Sequence, residues 1–290
     1  MRVRPRRDPR PGRSSHRTPS PIPPSRGSPF SRHQSRPANP EPRTPTPGFY
    51  IGGIHPVELV LQTGRVKALF GMRGREAGSR DEGRFSRILR AAGERGVPTP
   101  SVEPEQLDEL FPGLHQGIVA LVNPKPYIPF EGVLSSLSSR ATGLLLALDH
   151  IQDPQNFGAI LRSAAAFGVL AVIIPKDRAV GITPAVYKSS AGYVEMVDVA
   201  QVANIRYALG ALKDKGVWTV ALNATGPRGI DQMNTTRPLC LVIGAEGKGV
   251  SPVVLKEVDE VVRIPLAPVV ESLNSSAAAA IALFAATTRP

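Results

Sequence analysis

Three stretches of this chain gather carboxylate, amide or guanidinium side chains, two of them beside glycine, the groups from which a ligand site is built. The first, "GAEGKG" at 244–249, sets Glu246 among three glycines, whose bare backbone lets a ligand approach closely. It matches neither familiar phosphate loop. Val250 stands where a P-loop carries lysine, and Pro252 stands where a dinucleotide fingerprint starting at Gly247 carries glycine or alanine. Taken alone it is a flexible strand-to-helix turn, but a lone carboxylate among glycines is poorly placed for packing. The second stretch, "DHIQDPQNFGAILRSAAAFG" at 149–168, reads as a helix with Ile160, Leu161, Ala164 and Phe167 at core spacing and Gly168 as its stop. Asn156 or Asp153 caps it. Arg162 falls on a side distinct from Phe157, Ile160 and Leu161, where a surface arginine is the plain reading. The third, "ESLNSSAAAAIALFAATTRP" at 271–290, opens a helix capped by Ser272 or Asn274 and then runs almost free of charge. Such a helix is buried all round, or buried against a partner chain.

The elements that must hold these residues are five apolar runs: 143–149, 169–175, 217–222, 238–244 and 261–265. Helical segments, such as 156–168 and 201–216, separate them. This alternation predicts an α/β fold with a parallel sheet covered on both faces. Ligands of open α/β sheets bind beyond the carboxyl ends of the strands. There the first run leads to Asp149, Asp153, Asn156 and Arg162, the third to Asn223, the fourth to "GAEGKG" and the fifth toward "ESLNSS". Four loops would meet on one edge.

Ahead of this part, residues 48–123 read as a small α/β domain, and 124–140, with three prolines, as a linker holding a possible short helix. Within 65–95 nine bases face four acids, although the domain as a whole is neutral. That local excess reads as an RNA-contacting surface or as a solvated helix face; Arg65, Arg73, Arg75, Arg80 and Arg84 are the candidate RNA ligands. The chain's net charge of +11 comes mainly from residues 1–47, which hold 11 arginines and 13 of the 30 prolines against only Asp8 and Glu41. A segment with so few large apolar groups is expected to be disordered. It serves as a solvated arm, a start-site artefact, an RNA-attracting arm or a targeting segment. A single cysteine, Cys240, excludes a disulfide framework, and five scattered histidines give no metal-ligand spacing. No apolar run reaches the roughly 18 residues of a membrane span.

The three motifs together resemble those of the SpoU/TrmH family of RNA ribose 2′-O-methyltransferases. The first motif is carried by Asn156, Gly158, Arg162, Ser163 and Ala164. The second is carried by Val242, Gly244, Glu246, Gly247, Gly249, Val250 and Ser251. The third is carried by Ile264, Pro265, Ser272, Leu273, Asn274 and Ser276, with Leu266 replacing methionine and Ser275 replacing valine. "GIHPVELVL" and "LDELFPGLHQGIVALV" are similar to the L30e-like substrate-binding domain of the rRNA-modifying members.

The resemblance implies a C-terminal domain (141–290) tied in a deep trefoil knot, a rare exception to unknotted topology. It implies S-adenosylmethionine bound in that knot, with Gly244, Ile264 and Leu273 giving backbone contacts and Asn223, Ala245, Gly247, Pro265, Leu266 and Asn274 nearby. It assigns Arg162 to the ribose end, often as the base; because arginine is effectively always protonated, a clamp on the substrate phosphate that lowers the pKa of the 2′-hydroxyl is the alternative role. Asn156 would orient Arg162 and the ribose, Glu246 would hold the arginine or backbone donors, and Ser272 and Asn274 would fix the third motif against the first. No metal is implied. The implied substrate is a guanosine of 23S rRNA, with tRNA or a resistance-conferring rRNA site as alternatives; a non-catalytic RNA-binding protein is a third reading, against which the intact Asn156, Arg162, Glu246 and Asn274 argue. The implied assembly is a cytoplasmic homodimer through the knotted domain.

Overall fold

The computed structural model describes residues 48–74, 82–137 and 143–288. The 1–47 segment, Arg75, Arg80 and the end of the 124–140 linker lie outside the described residues.

The first lobe is a four-stranded sheet in the order β1-β4-β2-β3, made of β1 (Phe49–Gly52), β2 (Val66–Met72), β3 (Ser101–Val102) and β4 (Ile118–Val122). β4 runs antiparallel to both β1 and β2, while β2 and β3 are parallel. Helices α1 (Ile54–Leu61), α2 (Glu82–Glu94) and α3 (Pro104–Leu110) complete it. α1 buries Ile54, Val57, Val60 and Leu61, the apolar set at helical spacing. β3 is only two residues long, because Pro98 and Pro100 just before it offer no N–H to a ladder.

Residues 124–137 form a fastened connection. The Ile128 N–H donates to the Val199 carbonyl at 2.9 Å, the Tyr127 hydroxyl accepts from the Ile182 N–H at 2.9 Å, and α4 (Phe130–Leu137) buries Phe130, Val133 and Leu137.

The second lobe is a seven-stranded, wholly parallel sheet. Its strands are β5 (Leu144–Asp149), β6 (Ala171–Pro175), β7 (Asp198–Val202), β8 (Trp218–Leu222), β9 (Arg228–Gly229), β10 (Leu239–Gly244) and β11 (Glu260–Arg263), in the order β7-β6-β5-β10-β8-β11-β9. The central strands are continuous apolar runs because both faces are covered; every residue of β6 and β10 is buried. The helices are α5 (Pro154–Ala166), α6 (Pro184–Ser189), α7 (Ile205–Lys213), α8 (Pro252–Leu255) and α9 (Ser275–Thr287).

The structure departs from the sequence reading at one helix start and decides between the alternatives it left for two other helices. β7 occupies part of the segment expected to be helical from 201; the helix starts at Ile205, where the Asn204 Oδ1 accepts from the Tyr207 N–H at 2.7 Å. The cap of α5 is Asp153, whose carboxylate accepts from the Gln155 and Asn156 N–H groups, with Pro154 opening the helix. α9 is not buried all round: Phe284 is 56% exposed and Ile281 38%.

Candidate active site

A cavity of about 340 Å³ opens at the carboxyl ends of β8, β10 and β11. Its walls come from three segments: 222–224 after β8, 243–249 after β10, and 264–278 from the end of β11 into α9. Asn223, Gly244, Ala245, Glu246, Gly247, Ile264, Leu266, Ser272 and Leu273, all singled out from sequence, line it. Pro265 and Asn274 are absent from the lining, although both flank residues that contribute to it.

Gly244 is required by the loop rather than by a ligand. A Cβ there would stand 2.0 Å from the Gly249 carbonyl carbon and 2.1 Å from the Val250 nitrogen, so the glycine turn folds back onto the strand that precedes it. Asp149, at the end of neighbouring β5 and 2% exposed, pins the far end of the same loop: its Oδ2 accepts from the Ser251 N–H at 2.7 Å. Gly158 is likewise a packing glycine, its added Cβ falling 1.9 Å from the Ser189 Oγ of α6.

The three motifs meet in one side-chain network. The Asn156 Nδ2 donates to the Glu246 Oε2 at 3.2 Å. The Asn274 Nδ2 donates to the Asn156 Oδ1 at 2.8 Å and lies 3.4 Å from the same Glu246 oxygen. The Asn274 Oδ1 also caps α9 by accepting from the Ser276 N–H at 2.8 Å. One carboxylate oxygen thus faces two amide donors, and α5, the glycine loop and α9 are tied together.

The cleft has the chemistry of a small-molecule site, with apolar and polar wall in similar measure. Leu222, Ile243, Leu266, Leu273 and Ala278 give apolar surface. The Asn223 Oδ1 accepts from the Thr225 N–H and hydroxyl, which leaves its amide nitrogen for a ligand. The Ser275 Oγ is buried and has no partner among the described residues. A buried hydroxyl without a partner is costly unless something else bonds it, and this one lies in the cleft wall. Among the described residues, no three His, Cys, Asp or Glu side chains come together as metal ligands would. Cys240 is fully buried, its thiol pushed up to about 12 by burial, so it contributes packing.

Arg162 stands apart. It does not line the cleft and has no bond to Asn156 or Glu246; its guanidinium lies over the Tyr193 ring, 5.9 Å from the centroid. The lobe-one arginines also divide. Arg65 is committed to the junction between the lobes, paired with Glu195, bonded to the Tyr187 hydroxyl at 3.3 Å and donating to the Asn123 carbonyl at 3.0 Å. Its side chain is 15% exposed and that of Glu195 only 3%. Burial and the neighbouring Glu195 hold the Tyr187 hydroxyl well above its ordinary range, so it stays a donor, to the Glu195 Oε1 at 2.5 Å. Arg73 forms an exposed pair with Glu103, and Arg84 grips Glu58 beside His55. Sequence reasoning passed over Tyr187, Tyr193 and Glu195. Their one signal was a run of polar and aromatic groups, 187–196, between two apolar strands.

Fold and cleft define an α/β protein with a ligand site at the strand ends of a parallel sheet, walled by a glycine loop and the start of a final helix. The SpoU rRNA Methylase family matches residues 143–284, and the family described as RNA 2'-O ribose methyltransferase substrate binding matches residues 50–128. The 23S rRNA (guanosine-2'-O-)-methyltransferase RlmB of Pseudomonas putida is 37% identical over 240 residues, covering 81% of this chain and 94% of that protein. Among solved structures, the SpoU methyltransferase AviRb of Streptomyces viridochromogenes aligns with a TM-score of 0.68 at 25% identity, over 83% of this chain and 88% of that one. The AdoMet-bound rRNA methyltransferase of Sinorhizobium meliloti shares the fold, with a TM-score of 0.67 at 22% identity over 82% and 86% of the two chains. The chain belongs to the SpoU rRNA methylase family.

Proposed function

We propose that this protein transfers a methyl group from S-adenosylmethionine to the ribose 2′-hydroxyl of a guanosine in 23S rRNA, in the cytoplasm. The observation that carries this reading is the union of Asn156, Glu246 and Asn274 at the mouth of a glycine-lined strand-end cleft, in a chain related along most of its length to an rRNA guanosine methyltransferase. The match of residues 50–128 to a substrate-binding family favours rRNA.

The cleft suits the cofactor. Leu266 and Leu273 offer faces for an adenine ring, the unpartnered Ser275 hydroxyl and the Asn223 amide offer polar contacts, and the Glu246 and Glu271 carboxylates bring negative charge to the wall of a site for a cation. When bound, the cofactor supplies an electrophilic methyl group on a sulfonium. The chain's own task is to hold the 2′-hydroxyl in line and to favour loss of its proton. Arg162, permanently charged, binds the adjacent phosphate and stabilises the developing alkoxide. The amide–carboxylate network keeps the three loops in register. Gly244, Ile264 and Leu273 provide backbone contacts.

Because Arg162 lies outside the lining of its own chain's cleft, the reading includes a homodimer in which a second copy completes the site. The exposed Phe284 and Ile281 of α9 offer an apolar face for it; Phe284 packs edge-on against Phe167, just beyond α5, at 6.4 Å. The reading also includes a trefoil knot around the cleft and an L30e-like first lobe. The knot rests on the family to which residues 143–284 belong.

Mapping of 2′-O-methylated positions in 23S rRNA from a strain lacking the gene tests the function, with methyl transfer by the purified protein on the matching fragment. The expected result is loss of one 2′-O-methylguanosine, restored by the wild-type gene. An unchanged rRNA map, with methyl transfer to tRNA instead, would overturn the substrate.

A further inference from the structure

The guanidinium of Arg162 is held from outside its own helix. Its Cζ stands 5.9 Å from the centre of the Tyr193 ring, within reach of the attraction between a guanidinium and an aromatic face. Tyr193 opens the 3₁₀ turn Tyr193–Met196, and its ring packs on His55 of α1 with centroids 4.9 Å apart. His55 is fixed in turn: its Nδ1 lies 3.0 Å from the Arg84 Nη2, and Arg84 also holds Glu58. Burial, and then the charge of Arg84, holds His55 below its ordinary pKa, so the ring is neutral and takes the Arg84 hydrogen on Nδ1. An imidazolium there would repel both arginines.

The turn that carries Tyr193 is anchored to the first lobe a second time. Glu195, two residues on, is bound by Arg65 and by Tyr187. Two contacts, His55 with Tyr193 and Arg65 with Glu195, thus connect the first lobe to the arginine of the first motif through one short turn.

We propose that Tyr193, backed by His55, is a positioning residue that presets Arg162 for the ribose–phosphate of the RNA and makes that placement depend on the docked first lobe. This rests on the reading of Arg162 as an RNA ligand. Tyr193 does not line the cleft; it acts through the arginine.

A double-mutant cycle tests it, with single-turnover methyl transfer on an rRNA fragment as the readout and calorimetric binding of S-adenosylhomocysteine as the control. Tyr193→Phe keeps the ring and holds the rate within about twofold. Tyr193→Leu lowers it by at least about threefold, the worth of the ring–guanidinium attraction, and by up to about a hundredfold if the arginine shifts by an ångström. Cofactor binding is unchanged in both. In an Arg162→Ala background Tyr193→Leu adds no further loss, whereas a merely structural tyrosine would subtract its full factor again. His55→Gln, which leaves the turn whole, lowers the rate in the same direction. A second readout needs no activity: the Arg162 Nε–H resonance, assigned by its loss in Arg162→Ala, moves in Tyr193→Leu and not in Tyr193→Phe. Additive losses in the cycle, or an unmoved resonance, would overturn the proposal. A wild-type protein that methylates no RNA would overturn the proposed function instead, and the resonance would still decide whether Tyr193 holds Arg162.

Discussion

Asn156→Asp is the sharpest test of the network that joins the three motifs. The substitution is nearly isosteric and keeps the Oδ1 that accepts from Asn274 at 2.8 Å. It replaces the Nδ2 donor, 3.2 Å from the Glu246 Oε2, with a second carboxylate oxygen. Two carboxylates about 4 Å apart repel by about 4 kcal/mol at the effective dielectric of a protein surface and about 1 kcal/mol in water. Glu246 is exposed and Asn156 is 9% exposed, so about 1–2 kcal/mol is expected. The lost hydrogen bond adds about 1 kcal/mol. The total of about 2–3 kcal/mol lowers the melting temperature by about 4–12 °C for a protein of this size. The loss depends on pH. Repulsion raises the folded-state pKa of the carboxylate pair above the value of about 4 in the unfolded chain, so the folded variant binds protons more readily. The deficit relative to wild type is therefore full above the raised pKa and closes as pH falls toward about 4. Calorimetric melting of both proteins from pH 4.5 to 8 measures it, with Asn156→Asp in a Glu246→Gln background as the control that removes the pH-dependent part. A deficit that is constant across pH, or equal in the control, would refute the placement of Asn156 against Glu246.

Two further substitutions separate packing from binding. Gly244→Ala drives a Cβ into the backbone of Gly249 and Val250, which cannot rotate aside, and is expected to cost more than about 3 kcal/mol. Gly247→Ala, at φ +74° with no atom within 4 Å of its new Cβ, costs only about 1–2 kcal/mol of backbone strain; equal melting temperatures for the two variants would refute the packing role of Gly244. Arg65→Ala strands the buried Glu195 carboxylate and is expected to cost about 3–5 kcal/mol. It should leave the salt dependence of RNA binding unchanged; a stable variant with a shallower salt slope would return Arg65 to the RNA surface.

What could be read in the sequence follows from how local each cause is. The central strands were legible because a strand covered on both faces must be apolar along its length, as 144–148 and 239–244 are. β7 was not, since "DVAQV" is short and runs directly into the polar start of α7. The cleft-lining set was legible through motif spacing, because each motif lies at the end of an identifiable strand. Its internal bonds were not. Asn156 and Asn274 are 118 residues apart, and only the order of strands in the sheet brings α5 beside α9. Charge counting within 65–95 could not separate Arg65 from its neighbours, because its fate is decided by Glu195, 130 residues away. Motif glycines invite a ligand-contact reading, yet at Gly158 and Gly244 the chain itself occupies the space that a side chain would need.

These placements divide the polar residues by task. Asn274 uses its side-chain oxygen on the α9 cap and its nitrogen on Asn156, so it has little left to offer a substrate. Asn156, bonded on both its oxygen and its nitrogen, is close to the same condition. They hold the glycine loop, α5 and α9 in one register, and their substitution should be felt first in stability and cofactor binding. Arg162 has the opposite profile: exposed, unbonded to the network and resting on an aromatic face, it has no hydrogen-bond partner among the described residues. A planar guanidinium with free donors suits bidentate capture of a phosphate. On the proposed reading, the groups that shape the cleft and the group that would meet the RNA are therefore different residues, tied to different parts of the chain: the first set to the loops of the seven-stranded sheet, the second to the junction with the first lobe.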